Sequence, residues 1–167
     1  ASDVYKRQAV IVCGFNKTRI GLNAKIRDHN NFTEHTPMIG DRVICLKNNK
    51  RSNIPLYNGA HGTVKHIVKN PHLNYARSVI EMDGVNEDMF RGKILYESFA
   101  KEKFSAYHSD SGKEVFDYGY AITAHKSQGS EFEKVMVIEE GKYVWRENWN
   151  RWLYTAVTRS QKQLLIV

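Results

Sequence analysis

Cysteine is scarce in these 167 residues: only Cys13 and Cys45 occur, both inside apolar runs and without metal-ligand spacing. That argues against a disulfide-stapled scaffold and a cysteine-based zinc site, and it predicts two free, buried thiols. Long apolar runs are lacking too. No stretch approaches the ~20 residues of a membrane helix, and the N-terminus has no apolar leader core, so a cytoplasmic location is expected. Internal repeats and low-complexity linkers are absent. The phosphate-cradling pattern G-x-x-x-x-G-K-[ST] is missing, since "SGKEV" and "RGKIL" lack the first glycine and the following hydroxyl. Nor is there a strand ending in paired acids that would hold magnesium ahead of such a loop. Negative charge is in deficit, with a formal net charge of +7, and this favours a polyanionic partner. What remains is ordinary for a soluble domain, or a domain carrying an insertion: 41% hydrophobic and 26% charged residues.

Both ends of the chain are unusual. "SDVYKRQ" resembles the translation of a transposon mosaic-end adapter used in sequencing libraries, so residues 1–8 are set aside from fold reasoning; a native charged turn is the alternative. "QLLIV" stops inside what reads as a buried strand. The chain is therefore expected to be a piece of a longer protein.

Between the ends the pattern changes twice. "AVIVCGFN" is a strand ending in Gly and Asn, and "KTRIGLNAKIRDH" then puts Ile20, Leu22 or Asn23, and Ile26 at helical spacing. Such a strand and helix form a parallel α/β unit. From Gly40 the texture becomes short alternating runs, "DRVICLKNN", "NGAHGTVKHIV" and "ARSVIEMDG", separated by Asn-Gly, Asn-Pro and Asp-Gly turns. These predict a small antiparallel β insertion over residues 37–92. "ILYESFAKEKFSAY" reads as helix or loop. After Val115 the α/β texture returns as a strand, a polar segment, the strand "EKVMVIEE", an aromatic helix "RENWNRWLYTAVTRS" and a final strand. Residues 9–36 and 93–167 thus form an α/β layer around the insertion.

The polar segment, "TAHKSQGSE" (residues 123–131), concentrates the chemistry. Thr123 can cap the following turn, where unpaired N–H groups favour a phosphate. His125 and Lys126 add imidazole and ammonium donors suited to a nucleic-acid backbone. Gly129 permits close backbone approach to a ligand, and Glu131 offers a carboxylate to a ribose hydroxyl. From spacing alone, a capped surface helix with solvated charges is the preferred reading. Trp145, Trp149 and Trp152 fall at helical spacing; Trp149 and Trp152 are expected in the core. Lys47, Asn48, Asn49, Lys50 and Arg51 form a basic polar loop that either touches DNA or is a solvated hairpin.

"FDYGYAITAHKSQGSEFEKV" and "LYTAVTRSQKQLLIV" resemble motifs V and VI of superfamily 1 helicases, closest to the RecD- and Dda-like branch (1B), and "GDRVICLKNN" with "PLYNGAHGTV" resembles the SH3-like insertion of its second motor domain. The likeness runs from about Ala9 to Val167 and is weakest near residues 94–110. It implies an α/β fold, the RecA-like second motor domain (a P-loop NTPase fold without its Walker A motif here) with an inserted SH3-like β-barrel. By the same resemblance Thr123, His125, Lys126 and Ser127 meet single-stranded DNA. Gln128, Gly129, Glu131 and Tyr154 face ATP, Arg159 reaches across a cleft to the γ-phosphate, and Arg19 corresponds to a motif IV arginine near the phosphates. As a bare feature, Arg159 is a helix C-terminal arginine complementing the dipole, and Arg19 an exposed helix residue.

The resemblance further implies an ATP-dependent DNA helicase of a bacterial or phage-infected cell, acting on single-stranded DNA and duplex junctions. ATP and Mg²⁺ are then held mainly by an upstream RecA-like domain of the same parent chain, and this chain by itself is not expected to hydrolyse ATP. No metal ligand is assigned within the chain. The alternatives are the motor part of a relaxase-helicase or exonuclease subunit, and a non-catalytic nucleic-acid-binding module.

Overall fold

A computed structural model describes residues 9–84, 89–102, 112–141 and 146–167. The adapter-like residues 1–8, Trp145, and 103–111 of the helix-or-loop stretch lie outside the described residues. In chain order the strands are β1 (Ala9–Cys13), β2 (Arg42–Cys45), β3 (His61–Lys69), β4 (Tyr75–Met82), β5 (Met89–Leu95), β6 (Lys113–Glu114), β7 (Phe116–Tyr118), β8 (Ala121–Thr123), β9 (Phe132–Val137) and β10 (Ser160–Ile166). Helix α1 (Asn16–His29) follows β1, and α2 (Trp149–Val157) precedes β10. The chain divides into two compact units: Ala1–Ile26 with Tyr120–Val167, and Arg27–Gly119. No described helix is long and apolar enough to cross a membrane.

The first unit is a parallel sheet in the order β10-β9-β1-β8. Val10 and Val12 of β1 and Val135 and Val137 of β9, alternate residues on one face, are buried, Ile11 and Met136 on the other face are half-buried, and all three residues of β8 are buried. Each buried Val or Ile contributes about 1.5–3 kcal/mol relative to exposure. Helix α1 departs from the expected apolar stripe. Ile20, Leu22 and Ile26 are half-buried, whereas the buried line is Arg19, Asn23 and Arg27. Asn23 explains part of this choice: its Nδ2 donates to the Ala121 carbonyl at 2.9 Å, and its Oδ1 accepts the N–H groups of Tyr120 (3.2 Å) and Ala121 (2.9 Å). A polar side chain so satisfied can be buried cheaply.

The last strand also corrects an expectation. Among the described residues β10 is an edge strand paired with β9, and Leu164, Leu165, Ile166 and Val167 are exposed rather than buried. Pairing on one side does not cover a strand's faces.

The second unit is a six-stranded sheet in the order β6-β5-β4-β3-β2-β7, antiparallel except for the β5–β6 pair. Strands β6 and β7 occupy opposite edges, yet only Val115 separates them in sequence. A single residue spans at most about 3.6 Å, so the sheet must curl until its edges nearly meet. The Leu46 N–H donates to the Val115 carbonyl at 2.9 Å, which carries the β2–β7 pairing into that joint. The core includes Phe90 and Phe116, with ring centroids 5.5 Å apart, and the fully buried Val43, Val64, Ile80 and Ile94. This unit starts and ends wider than the 37–92 expected for the insertion, because β5 through β7 all pair within its sheet. After β5 comes a short 3-10 turn at Tyr96–Ser98 rather than a regular helix.

"FDYGYAIT" reads as one strand but forms two, in different sheets. β7 ends at Tyr118 and β8 starts at Ala121. Gly119 is the switch: a Cβ there would lie 2.9 Å from the Val43 carbonyl carbon and 3.0 Å from the His61 ring. Its N–H donates to the Arg42 carbonyl at 2.9 Å, whereas the next residue's carbonyl, that of Tyr120, accepts the Ile11 N–H at 3.0 Å.

Candidate functional site

In a parallel sheet every strand ends at the same side, so β8 delivers Thr123 to the C-terminal edge while β9 starts Phe132 at the N-terminal edge. Residues 124–131 must therefore cross the sheet. Since β1 lies between β8 and β9, the crossing passes over β1. Crossovers between parallel strands usually run to a dozen or more residues and contain a helix. Here the job is done by consecutive turns: the Ser127 N–H donates to the carbonyls of Thr123 (3.1 Å) and Ala124 (3.2 Å), and the Ser130 N–H to that of Ser127 (3.1 Å).

Within this crossing the expected strand contacts separate. Thr123 and Ser127 are buried, and the Ser127 hydroxyl donates to the Ala124 carbonyl at 2.7 Å, which locks the turn. His125 is exposed and Lys126 half-exposed. Exposed Gln128 joins His125 in lining a cavity of about 380 Å³ completed by Ala124, Asn148, Arg151, Trp152 and Thr155. Asn148, Arg151, Trp152 and Thr155 follow helical i, i+3, i+4, i+7 spacing, so α2 and its preceding residue present one face to the turn. Sequence reasoning missed Asn148, Arg151 and Thr155. Their signal was that same spacing, which continues from Arg151 through Thr155 to Arg159. Trp152 is buried as expected, whereas Trp149 is half-buried.

At the N-terminal edge a second group forms. The Arg159 guanidinium donates from Nε to the Thr155 carbonyl (3.0 Å), from one terminal nitrogen to the Ser130 carbonyl (3.2 Å), and from the other to the Thr158 hydroxyl (3.1 Å). The Phe132 N–H donates back to the Arg159 carbonyl at 2.8 Å. Among the described residues each terminal nitrogen keeps one N–H unengaged, which leaves a fork suited to an oxyanion. Exposed Glu131 accepts Gln161 Nε2 at 2.8 Å. Gly129 has φ +80°, a backbone that side-chain-bearing residues rarely adopt, and open space where a Cβ would be. Tyr154 is 70% exposed on α2. β9's six residues, at ~3.3 Å each, put about 17 Å between the two edges.

Arg19 sits at the other edge, in the first turns of α1 after β1. It is 1% exposed, with Nε donating to Asn16 Oδ1 at 3.1 Å, so in this conformation it presents almost no surface to a ligand. The start of α1 already holds an anion of the chain's own. The N–H groups of Gly14 and Phe15 donate to Glu140 Oε1 (2.6 and 2.9 Å), and the Thr18 hydroxyl donates to Oε2 (2.7 Å). A carboxylate there satisfies unpaired donors and suits the positive end of the helix dipole. Burial, then the Glu140 charge, push the Cys13 thiol up to about 12 despite a lowering influence from Arg19. Burial likewise holds Cys45 at about 11. Both cysteines are free, as expected, and their raised values make them packing groups rather than nucleophiles.

The basic loop of the second unit is a tied hairpin. Asn49 and Leu56 exchange backbone hydrogen bonds at 2.9 Å each, and Asn49 Nδ2 donates to Glu114 Oε1 at 2.6 Å. Among the described residues no group of three His, Cys, Asp or Glu side chains is placed to hold a metal ion.

Residues 118–167 match the UvrD-like helicase C-terminal domain. An uncharacterized protein of Methanocaldococcus jannaschii is 32% identical over 132 residues, which cover 77% of this chain and 10% of that protein. Among solved structures, Pif1 helicase from Bacteroides in complex with ADP-AlF3 and single-stranded DNA aligns over 97% of this chain and 41% of its own, with a TM-score of 0.59 and 18% identity. Pif1 helicase from Candida albicans aligns over 96% of this chain and 44% of its own, with a TM-score of 0.58 and 14% identity. The chain thus spans less than half the length of each of these relatives.

Proposed function

We propose that this chain, whose residues 118–167 match the UvrD-like helicase C-terminal domain, is the second RecA-like half of a superfamily 1, ATP-driven motor that translocates on single-stranded DNA and unwinds duplex at junctions. The observation that carries this is the bond from Arg159 to the Ser130 carbonyl, which joins the helix of the second motif to the polar crossing of the first. Two ends of one covalent segment then serve two polyanions. His125 and Lys126, at the C-terminal edge, grip phosphates of the strand. Glu131 and Arg159, at the N-terminal edge, face the nucleotide.

The residues present fit one side of a nucleotide site only. Neither a phosphate cradle nor a magnesium cluster is offered by the described residues, so both ATP and Mg²⁺ fall to another RecA-like domain of the parent. When bound, ATP supplies a phosphoryl group whose transfer builds negative charge on its oxygens. The unengaged N–H groups of Arg159 are the donors that would meet such charge; in phosphoryl-transfer enzymes an arginine in this role contributes ~10³ to 10⁵ in rate. Thr123 and Ser127, being buried, shape the turn that aims His125. Gln128 adds an amide beside it, while Gly129 supplies the backbone bend between the two ends. The proposed coupling is mechanical: a shift of Ser130 with Arg159 is carried along residues 124–131 to the strand-facing turn.

The strand-facing half is testable on this chain alone. Fluorescently labelled single-stranded DNA should bind with an affinity that falls steeply with salt. Replacing His125 with Ala and Lys126 with Gln should flatten the slope of log K against log salt by about 0.7 for each phosphate that is no longer neutralised. An unchanged slope would remove the His125 turn from the strand path.

A further inference from the structure

The outward face of the second unit's sheet carries an arrangement of charge that folding alone does not favour. Arg77 on β4 is directly opposite Lys93 on β5, and Lys93 is directly opposite Lys113 on β6. Arg91 lies two residues from Lys93 on the same face, opposite Val79. The alternate residues of these strands, Ala76, Ser78, Ile80, Phe90 and Ile94, are buried, so the cations occupy the solvent side. The ammonium groups of Lys93 and Lys113 each lie 5.1 Å from the centroid of the Tyr75 ring. Lys113 also donates to Asn74 Oδ1 at 3.2 Å.

Like charges directly opposite on neighbouring strands destabilise a sheet. Four other cations of this unit are balanced: Lys65 holds Glu81 at 2.8 Å, Lys69 holds Glu34 at 2.6 Å, Arg27 holds Asp41 at 2.9 Å, and Arg42 pairs with Asp83. Arg77, Arg91, Lys93 and Lys113 have no carboxylate partner among the described residues. An edge lysine that blocks unwanted strand pairing accounts for Lys113, since β6 is an edge, but not for Arg77 and Lys93 on interior strands.

We infer that this face is a second polyanion site, distinct from the His125 turn, and that its occupant is the phosphate backbone of duplex nucleic acid. The cations are spaced about 4.8 Å across strands and about 6.6 Å along β5, a two-dimensional array that meets a repeating charge better than one compact ligand. A single strand would also need an aromatic platform for its unstacked bases. Tyr75, the aromatic of this cluster, is flanked by two ammonium groups and serves them instead. Backbone contact alone suits a duplex, whose bases are stacked inside.

The test is a titration of the intact chain with a short blunt duplex and, separately, a single strand, at salt from ~50 to ~200 mM. The combined change R77Q/R91Q/K93Q/K113Q should weaken duplex binding and lower its salt slope by about 0.9 for each phosphate left without its cation, while thermal stability is unchanged or higher because repulsion is relieved. The single change K113Q, at an edge strand, repeats the duplex test with little risk to folding and should lower the slope by about 0.9. Single-strand binding should persist in both variants and fall in the His125/Lys126 variant, so the two sites fail separately. An unaltered duplex slope in K113Q and the combined variant would overturn the inference. Equal losses on both nucleic acids would do the same for the duplex, and capture of polyglutamate in preference to duplex would point to an acidic protein instead.

Discussion

At the residue scale, motif spacing singled out positions but not the partners they meet once the chain is folded. Arg159 and His125 stand out by motif, and the structure gives both an accessible polar group. Glu140, Asn148 and Arg151 were not readable, because their roles come from partners reached only after the chain folds: Glu140 meets residues 14, 15 and 18. Gly129 offers a clean test at this scale. With φ at +80° and nothing near the place of a Cβ, Gly129→Ala should cost about 1 kcal/mol through the backbone alone. Urea denaturation measures it. A cost near zero would mean that the turn relaxes into another conformation.

Elements depend on how buried polar groups are satisfied, which hydrophobic spacing does not encode. The line Arg19, Asn23 and Arg27 on α1 was hidden behind Ile20, Leu22 and Ile26 for that reason. Removing the α1 anchor with Glu140→Ala should cost about 1–2 kcal/mol in chemical denaturation, since two backbone donors and the Thr18 hydroxyl lose a charged acceptor. In the second unit, Arg27 and Asp41 form a two-point ion pair, Nε to Oδ1 at 2.9 Å and a terminal nitrogen to Oδ2 at 3.1 Å, with Asp41 fully buried. Asp41→Ala removes the carboxylate from that buried guanidinium, which keeps the Thr36 carbonyl and the Tyr118 ring, and should cost about 3–5 kcal/mol.

β3 carries a pH dependence of its own. Burial first, then the Arg42 charge, lower His61 from 6.5 to about 4 in the folded unit. Below pH ~6.5 the unfolded chain binds the proton that the folded chain refuses. Stability is therefore full above pH ~6.5 and lost as pH falls toward about 4, by at most about 1.4 kcal/mol per pH unit. Urea midpoints at pH 7 and pH 5 should differ by more in the native chain than in His61→Gln.

For the whole molecule, the alternation between α/β texture and short β runs announced two layers of architecture, and both are present as a parallel sheet and a curled six-stranded sheet. Their seams were less legible. Gly119 divides one apparent strand between two sheets because a Cβ would strike the Val43 backbone, a close approach that no local pattern reveals. The two edges of the parallel sheet, about 17 Å apart, were likewise invisible in a sequence where residues 123–131 look like one turn. Parallel pairing converts that short segment into a connection between the two edges, the ends that the proposed function assigns to the strand and to the nucleotide. The proposed motor function rests on that connection and on the arginine at its far end.

The sharpest test is the DNA-stimulated ATPase of the parent protein with Arg159→Ala. Turnover should fall by ~10³ or more while affinity for single-stranded DNA stays near that of the native protein. Turnover that survives the change would contradict the assignment of Arg159 to the nucleotide.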